Sequence, residues 1–219
     1  MIYAGEIYVG DRISDKPGRF YSTEVSIRLK EKCPYVSRGG LKLEKALGYF
    51  CISPADWVCL DIGASSGGFT DCLLQHQARK VHAVDVAYGQ LAWKIRQDPR
   101  VTVLERFNAR NITAQDIEGD LIDLAVMDVS FISLTTLLPP VAKLFARDVA
   151  IVSLIKPQFE LARDDVGPRG VVSEPSLHHK AIEKIEAFVQ QLGLISRGIV
   201  PSPILGPKGN REFLIYITS

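Results

Sequence analysis

Seven short apolar runs spread over the last three quarters of the chain constrain its fold more than any other feature. They are WVCLDI (57–62), KVHAVDV (80–86), VTVLE (101–105), LIDLAVMDV (121–129), VAIVSLI (149–155), ISRGIV (195–200) and EFLIYIT (212–218). Helical patterns separate several of them. One covers 66–77; another covers 178–192, with Ala181, Ile185, Phe188 and Leu192 along one side. A further amphipathic helix precedes the first run, where RGGLKLEKALGYF sets Leu43, Ala46, Leu47 and Phe50 at i, i+3, i+4 and i+7. Strands alternating with helices predict a mostly parallel sheet covered on both faces. The last two runs are joined by PSPILGPKGN, which leaves little room for a helix, so the final strand is expected to be antiparallel. With 219 residues and 47% apolar composition, the chain can bury one α/β domain and carry a small appendage.

The appendage is residues 1–34. GEIYVGDRISDKPG has short apolar alternation (Ile7, Val9) with turn residues at Gly10-Asp11 and Pro17-Gly18, and VSIRLKE (25–31) alternates again. Two or three strands of this length cannot bury a core alone. The domain of interest is therefore 35–219.

The formal net charge is +1, so any nucleic-acid surface has to be local. Arg28, Lys30, Lys32, Arg38, Lys42 and Lys45 form one candidate cluster, which also reads as a solvated edge. Cys33, Cys51, Cys59 and Cys72 form no C-x-x-C pair and match no zinc spacing. Cys59, in an apolar run, reads as a small core hydrophobe. The expectations are a reduced, cytoplasmic protein with no metal site. No apolar run approaches the ~18 residues of a membrane span, and MIYAGEIYVG lacks the pattern of a signal peptide.

The first apolar run ends in LDIGASSGGFTD (60–71), a strand, a glycine turn and a helix start. No Gly-Lys-Ser/Thr follows, which excludes a Walker phosphate loop, and the dinucleotide pattern G-x-G-x-x-G is not matched. The order here is Asp61-x-Gly63-x-x-x-Gly67-Gly68. An acid before the first glycine repels a pyrophosphate and suits a ligand with positive charge there. S-adenosylmethionine carries an ammonium and a sulfonium, and its carboxylate can use backbone N–H groups of the turn, formed by Gly63, Ala64, Ser65, Gly67, Gly68 and Phe69. The second run ends in Asp85, 22 residues after Gly63, where an acid can take both hydroxyls of a ribose. Asn108, after the third run, is a candidate for the adenine edge and equally a turn asparagine. A tight βα turn alone would also account for the glycines.

Two further residues stand where open α/β sheets place their chemistry: Asp128 in MDVSF and Lys156 in LIKPQFE. Taken singly, Asp128 also fits a helix cap, and Lys156 a lysine reaching out of the sheet top. Asp128 sits where base N-methyltransferases carry Asp/Asn-Pro-Pro-aromatic, but Asp128-Val-Ser-Phe131 lacks both prolines. A hydroxyl acceptor instead needs a general base, and a lysine serves if burial or a neighbouring cation lowers its pKa.

YVSRGGLKL, DIGASSGGFTDCLLQ, AVDVAYGQLAWKIR, MDVSFISL, LIKPQFE and GNREFLIY closely resemble the TlyA/hemolysin A family of FtsJ-like RNA ribose 2′-O-methyltransferases, in the same order, from about Tyr35 to the C-terminus. The resemblance implies a Rossmann-like class I methyltransferase fold, S-adenosylmethionine as cofactor, and ribosomal RNA or ribosomal subunits as partner. It implies a Lys-Asp-Lys-Glu tetrad at Lys42, Asp128, Lys156 and Glu212. Lys156 would deprotonate the 2′-hydroxyl, Lys42 would raise the local positive potential, Asp128 would orient Lys156, and Glu212 would position Lys42 or the ribose. AGEIYVGDRISDKPG is similar to the second half of an S4 RNA-binding domain, with Gly10-Asp11 where that family has Asn-Gly. Residues 1–34 are accordingly expected to be a partial S4 unit, without the two helices that precede such a sheet. Tyr88 and Trp93 are candidates for stacking or for covering the sheet. His178 and His179 are adjacent and read as solvated first-turn residues. The loop 162–176 and GPKGN (206–210) read as mobile loops over an RNA site. The competing readings are a pore-forming haemolysin, a non-catalytic RNA-binding protein and a nucleobase N-methyltransferase.

Overall fold

The computed structural model describes Ile2, residues 7–29 and residues 33–219. It divides into two compact units, Met1–Pro34 and Tyr35–Ser219. In the first, β1 (Ile7–Val9), β2 (Arg12–Ser14) and β3 (Ile27–Leu29) form an antiparallel sheet in the order β2-β1-β3. The β1–β2 hairpin turns at Gly10, whose φ of +59° costs any residue with a Cβ. Tyr8 lies opposite Arg28, whose guanidinium stands 5.7 Å from the ring centroid. The predicted strand at 25–31 is present at 27–29. Lys30 and Lys32 of the basic cluster, and residues 4–6 of the S4-like stretch, lie outside the described residues.

In the second unit seven strands pair in the order β6-β5-β4-β7-β8-β10-β9. They are β4 (Val58–Ile62), β5 (Lys80–Val84), β6 (Val101–Leu104), β7 (Leu124–Met127), β8 (Ala150–Ile155), β9 (Ile195–Pro201) and β10 (Phe213–Thr218). The pairs from β6 through to β8 are parallel, and β10 runs antiparallel to both β8 and β9. This is the expected mostly parallel sheet with an antiparallel last strand. The helices are α1 (Gly39–Tyr49), α2 (Gly68–Gln75), α3 (Trp93–Arg96), α4 (Leu134–Ala142), α5 (Pro157–Glu160) and α6 (Pro175–Gln191).

Strand alternation divides the core into two layers. Along β4, Val58, Leu60 and Ile62 pack on the face that also holds α4 and α6. Cys59 faces the opposite layer with Leu43 of α1, Leu73 of α2 and Ile95 of α3. A central strand covered on both faces has no room for a polar period, which is why LAVM of β7 reads as a continuous apolar run and VCLDI of β4 is broken only by the buried Asp61. The buried stripe of α6 is Ala181, Ile185 and Val189. It runs to Val189, while Phe188 is only partly buried and Leu192 is exposed.

Helix α4 carries Pro139 and Pro140 inside it, and a proline pair normally reads as a break. Four buried apolar residues, Leu134, Leu137, Leu138 and Val141, hold the helix against the sheet in spite of that. Strand β7 is shorter than the apolar run 121–129: Leu121 is exposed, and the Asp123 carboxylate accepts the Val58 N–H (2.8 Å) instead of extending the strand. The strand stops at Met127, which leaves Asp128 in the loop beyond it.

Candidate active site

The chain enters the sheet at β4, builds outward through β5 and β6, and then crosses to β7 on the other side of β4. Strand order reverses there, and open α/β sheets leave a crevice outside the carboxyl ends of the strands at such a point. Gly63 follows β4 and Asp128 follows β7, with the Asp128 N–H donating to the Ile62 carbonyl (3.1 Å). Gly63 has φ +82°, and a Cβ on it would stand 2.8 Å from the Asp128 carbonyl oxygen. Only glycine satisfies both the turn and the close approach. Gly67 (φ +91°) precedes α2, and Gly68 lies against Ser37 and the Gly40 N–H, where an added Cβ would come within 2.9 Å of that nitrogen. The glycine turn therefore also packs against the first turn of α1.

Two neighbouring cavities open at this crevice. One, of about 310 Å³, is lined by Gly63, Ser65, Asp85, Asn108 and Asp128 among others. The Asp85 carboxylate accepts the N–H groups of Ser65 (2.7 Å) and Ala87 (2.8 Å), joining the glycine turn to the loop after β5. Asn108 lines the cavity, and its side-chain oxygen also accepts the Arg110 N–H (3.1 Å), so it is a turn asparagine as well as a lining residue. Asp61 lines neither cavity and lies fully buried beneath the turn. One of its oxygens accepts the Thr70 hydroxyl (2.6 Å); the other, Oδ1, is buried with no hydrogen-bond partner. Burial pushes the Asp61 carboxyl up to about 7, against the opposing pull of the Thr70 bond.

These residues fit S-adenosylmethionine. A carboxylate stands at the end of the second strand, and the glycine turn presents backbone to the cavity. The cavity has apolar walls in Val86, Phe107 and Val129. Beneath the turn, the unpartnered Asp61 oxygen offers negative potential to a cationic ligand. Ala64, Ser65, Gly68 and Phe69 line the second cavity, of about 600 Å³; Gly67 lines neither.

That second cavity has Lys42, Asp128, Lys156 and Glu212 together in its wall. The four come from four separate places in the chain. Lys42 lies in the first turns of α1, where Gly40 lets the helix close on Tyr35: a Cβ there would be 2.2 Å from the ring. Asp128 and Lys156 follow the neighbouring parallel strands β7 and β8. Glu212 precedes β10, and because β10 is antiparallel with Phe213 opposite Ile155, its start lies beside the end of β8. The Lys42 ammonium is 2.7 Å from Glu212 Oε2 and 3.3 Å from Asp128 Oδ2, and the Lys156 ammonium is 2.6 Å from Asp128 Oδ1. Lys156 also donates to the Ser130 hydroxyl (3.1 Å). Lys42, Lys156 and Glu212 are buried. Burial alone would push the Asp128 carboxyl up, but the Lys156 and Lys42 charges outweigh it and hold the group below the usual carboxylate range.

Arg38 of the basic cluster and Lys208 of the GPKGN loop line this cavity too, as do Ser37, Ser130 and Gln158, which were not singled out from the sequence. Ser130 lies inside MDVSF, so the motif was the available signal. Phe131 has φ +63° and is 89% exposed at the junction of the two cavities, 5.1 Å from the Phe159 ring. Tyr88 is exposed, with the Arg106 guanidinium 4.3 Å from its ring centroid. Trp93 opens α3 and is exposed rather than covering the sheet. His178 is half-buried and bonded to the Val172 carbonyl (2.9 Å) through Nε2, so it is a structural contact rather than a solvated residue. Among the described residues no cluster of His, Cys, Asp or Glu could hold a metal ion, and no helix is long and apolar enough to cross a membrane.

The doubly wound sheet, the glycine turn and the acid after the second strand fit an S-adenosylmethionine-dependent methyltransferase. An Aquifex aeolicus protein of that description shares the fold at 19% identity, with a TM-score of 0.56 over 84% of this chain and 94% of that one. Residues 35–218 match the FtsJ-like methyltransferase family, and the chain belongs to that family. It is 45% identical to the Mycobacterium tuberculosis 16S/23S rRNA (cytidine-2′-O)-methyltransferase TlyA, over 99% of this chain and 81% of that protein. It is 41% identical to hemolysin A of Brachyspira hyodysenteriae, over 99% of this chain and 90% of that protein. A solved Streptococcus thermophilus protein, 45% identical, superposes with a TM-score of 0.85 over 100% of this chain and 80% of that one.

Proposed function

We propose that this protein transfers a methyl group to a ribose 2′-hydroxyl of ribosomal RNA. The observation that carries the reading is the closed cluster of two lysines and two carboxylates in the wall of the larger cavity. S-adenosylmethionine supplies, when bound, a methyl group on a sulfonium. A ribose hydroxyl must lose its proton as it attacks that carbon, and Lys156, having first released its own proton to solvent, accepts it as the neutral amine. Asp128, 2.6 Å away, fixes the direction of the amine. Lys42, held by Glu212 and Asp128, keeps positive charge beside the developing alkoxide. The rest of the rate comes from holding hydroxyl and methyl in line. The absence of prolines in MDVSF favours a hydroxyl over an exocyclic amine. The named activity of the TlyA relative supports RNA as the substrate, and exposed Phe131 and Tyr88 offer rings on which an unstacked base can rest.

Residues 1–34 act as an S4-like RNA-binding unit and 35–219 as the methyltransferase domain. RNA substrate places the protein in the cytoplasm, on ribosomal RNA or ribosomal subunits. The test is transfer of labelled methyl from S-adenosylmethionine to isolated ribosomal subunits, followed by nuclease digestion to locate the label. Lys156→Ala is expected to abolish transfer while cofactor binding by calorimetry stays within about twofold. Full activity in that variant, or label on a base, would sink the reading.

A further inference from the structure

We infer that Glu160 is a positioning residue for the reaction proposed above: its carboxylate ties the loop that carries Asp128 to the short helix that follows Lys156, and so sets the spacing of acid and amine. The inference rests on the methyl-transfer reading and adds a part to it.

Glu160 ends α5, four residues after Lys156, and is 5% exposed. Its Oε1 accepts the N–H of Leu134, the first residue of α4, at 2.8 Å. Its Oε2 accepts the Ser133 hydroxyl at 2.5 Å. Lys184 of α6 closes the arrangement, donating to Glu160 Oε2 (3.1 Å) and to the Glu160 carbonyl (2.5 Å). The chain thus forms a ring. From Asp128 it runs through the loop to Ser133 and Leu134, crosses to Glu160, returns along α5 to Lys156, and closes through the Lys156–Asp128 pair. Both crossings use buried charge, which is costly unless fully partnered.

A plain helix cap does not account for Glu160. Ser133 already caps α4, its hydroxyl accepting the Thr135 N–H (3.2 Å). What needs a second fastening is the loop between Asp128 and Ser133. It contains Phe131 at φ +63°, a conformation that a bulky residue keeps only when its surroundings impose it. Lys184 refers the clamp to α6, whose neighbouring Ile185 is fully buried in the core. One carboxylate therefore registers the loop after β7 and the short helix α5 against α6.

The test uses the full chain, with Glu160→Ala, Glu160→Gln and the core variant Ile185→Val as a stability control. At saturating cofactor and subunits, Glu160→Ala is expected to lower the transfer rate about tenfold to a hundredfold, the scale of an ångström-sized misplacement. Its cofactor Kd should stay within about twofold of wild type. Glu160→Gln, which keeps an acceptor for Leu134, should recover most of the rate, and Ile185→Val should lose thermal stability with its rate unchanged. Should Glu160→Ala fail to fold, Glu160→Asp decides in the same way, because it keeps the charge for Lys184 and shortens the reach. A rate within about twofold of Ile185→Val at matched stability overturns the inference. Amide hydrogen exchange at Leu134, read without substrate, separates the two ideas. If wild type transfers no methyl, the functional reading fails by itself. In that case lost protection of Leu134 in the variant supports the clamp, and unchanged protection overturns it.

Discussion

Replacing Asp61 by asparagine should stabilise the cofactor-free protein, and should do so more at high pH than at low. The Asp61 carboxyl is fully buried, keeps one oxygen without a partner, and is pushed from 3.8 up to about 7. A carboxyl whose folded pKa lies above its unfolded value binds more protons in the folded state across that window. Stability is therefore lost as pH rises from about 4 to about 7, and the full cost is present above it. Three pKa units correspond to about 4 kcal/mol at pH 8. Asparagine carries no charge there, but it places an amide N–H₂ where the orphan oxygen was, at about 1–3 kcal/mol. The expected net gain is about 1–3 kcal/mol at pH 8. The pH dependence is the cleaner quantity, because the amide cost does not titrate. Between pH 8 and pH 5 the difference between variant and wild type should shrink by roughly 3 kcal/mol. Urea unfolding of both proteins at the two pH values measures it. A difference that stays constant with pH would refute the claim that Asp61 is a buried acid held ready beneath the turn. The same variant should lose much of the stabilisation that S-adenosylmethionine confers on wild type, since the negative potential under the turn is gone.

Two more substitutions probe the frame. Gly63→Ala forces a Cβ to 2.8 Å from the Asp128 carbonyl at a φ of +82°; it should cost about 1–3 kcal/mol of stability and weaken cofactor binding, both readable in one thermal-shift titration, and wild-type cofactor affinity in the variant would contradict the turn's role. His82 is buried on β5 with Nε2 against Asp120 (2.8 Å), and burial holds its pKa below 6.5 in spite of that carboxylate. The unfolded chain takes up the proton first, so wild type should lose stability as pH falls below about 6.5. His82→Leu, which leaves Asp120 paired with Lys80, should flatten that part of the profile, and an unchanged acid limb would show that another group titrates there.

What the sequence made legible follows the range of each signal. Strands were readable because burial on both faces leaves an unbroken apolar run, as in LAVM of β7. The glycine turn was readable because a positive φ and a close backbone approach leave only one residue type at Gly63. Helix α4 was hidden because its prolines contradict the local rule and only packing overrides it. Asp61 was legible as an acid at the turn but not as one buried beneath it, since which side of β4 it faces depends on the sheet. Glu160 stood inside LIKPQFE, but its role did not show: its main partner is the backbone N–H of Leu134, 26 residues away, and a backbone group has no sequence signature.

The four charged residues of the cavity show why composition and spacing alone left Asp128 and Lys156 ambiguous. A lysine after a buried strand is costly, and so is an isolated aspartate. The fold removes both costs with one device, the antiparallel β10. Had the last strand run parallel, Glu212 would lie at the far end of β8. Lys42 would then face only Asp128, which already serves Lys156. Setting Phe213 opposite Ile155 returns a second carboxylate to the crevice and makes two cations and two anions of the group. The topology of the last strand, more than any single side chain, is what allows two lysines to be buried in the wall of the larger cavity.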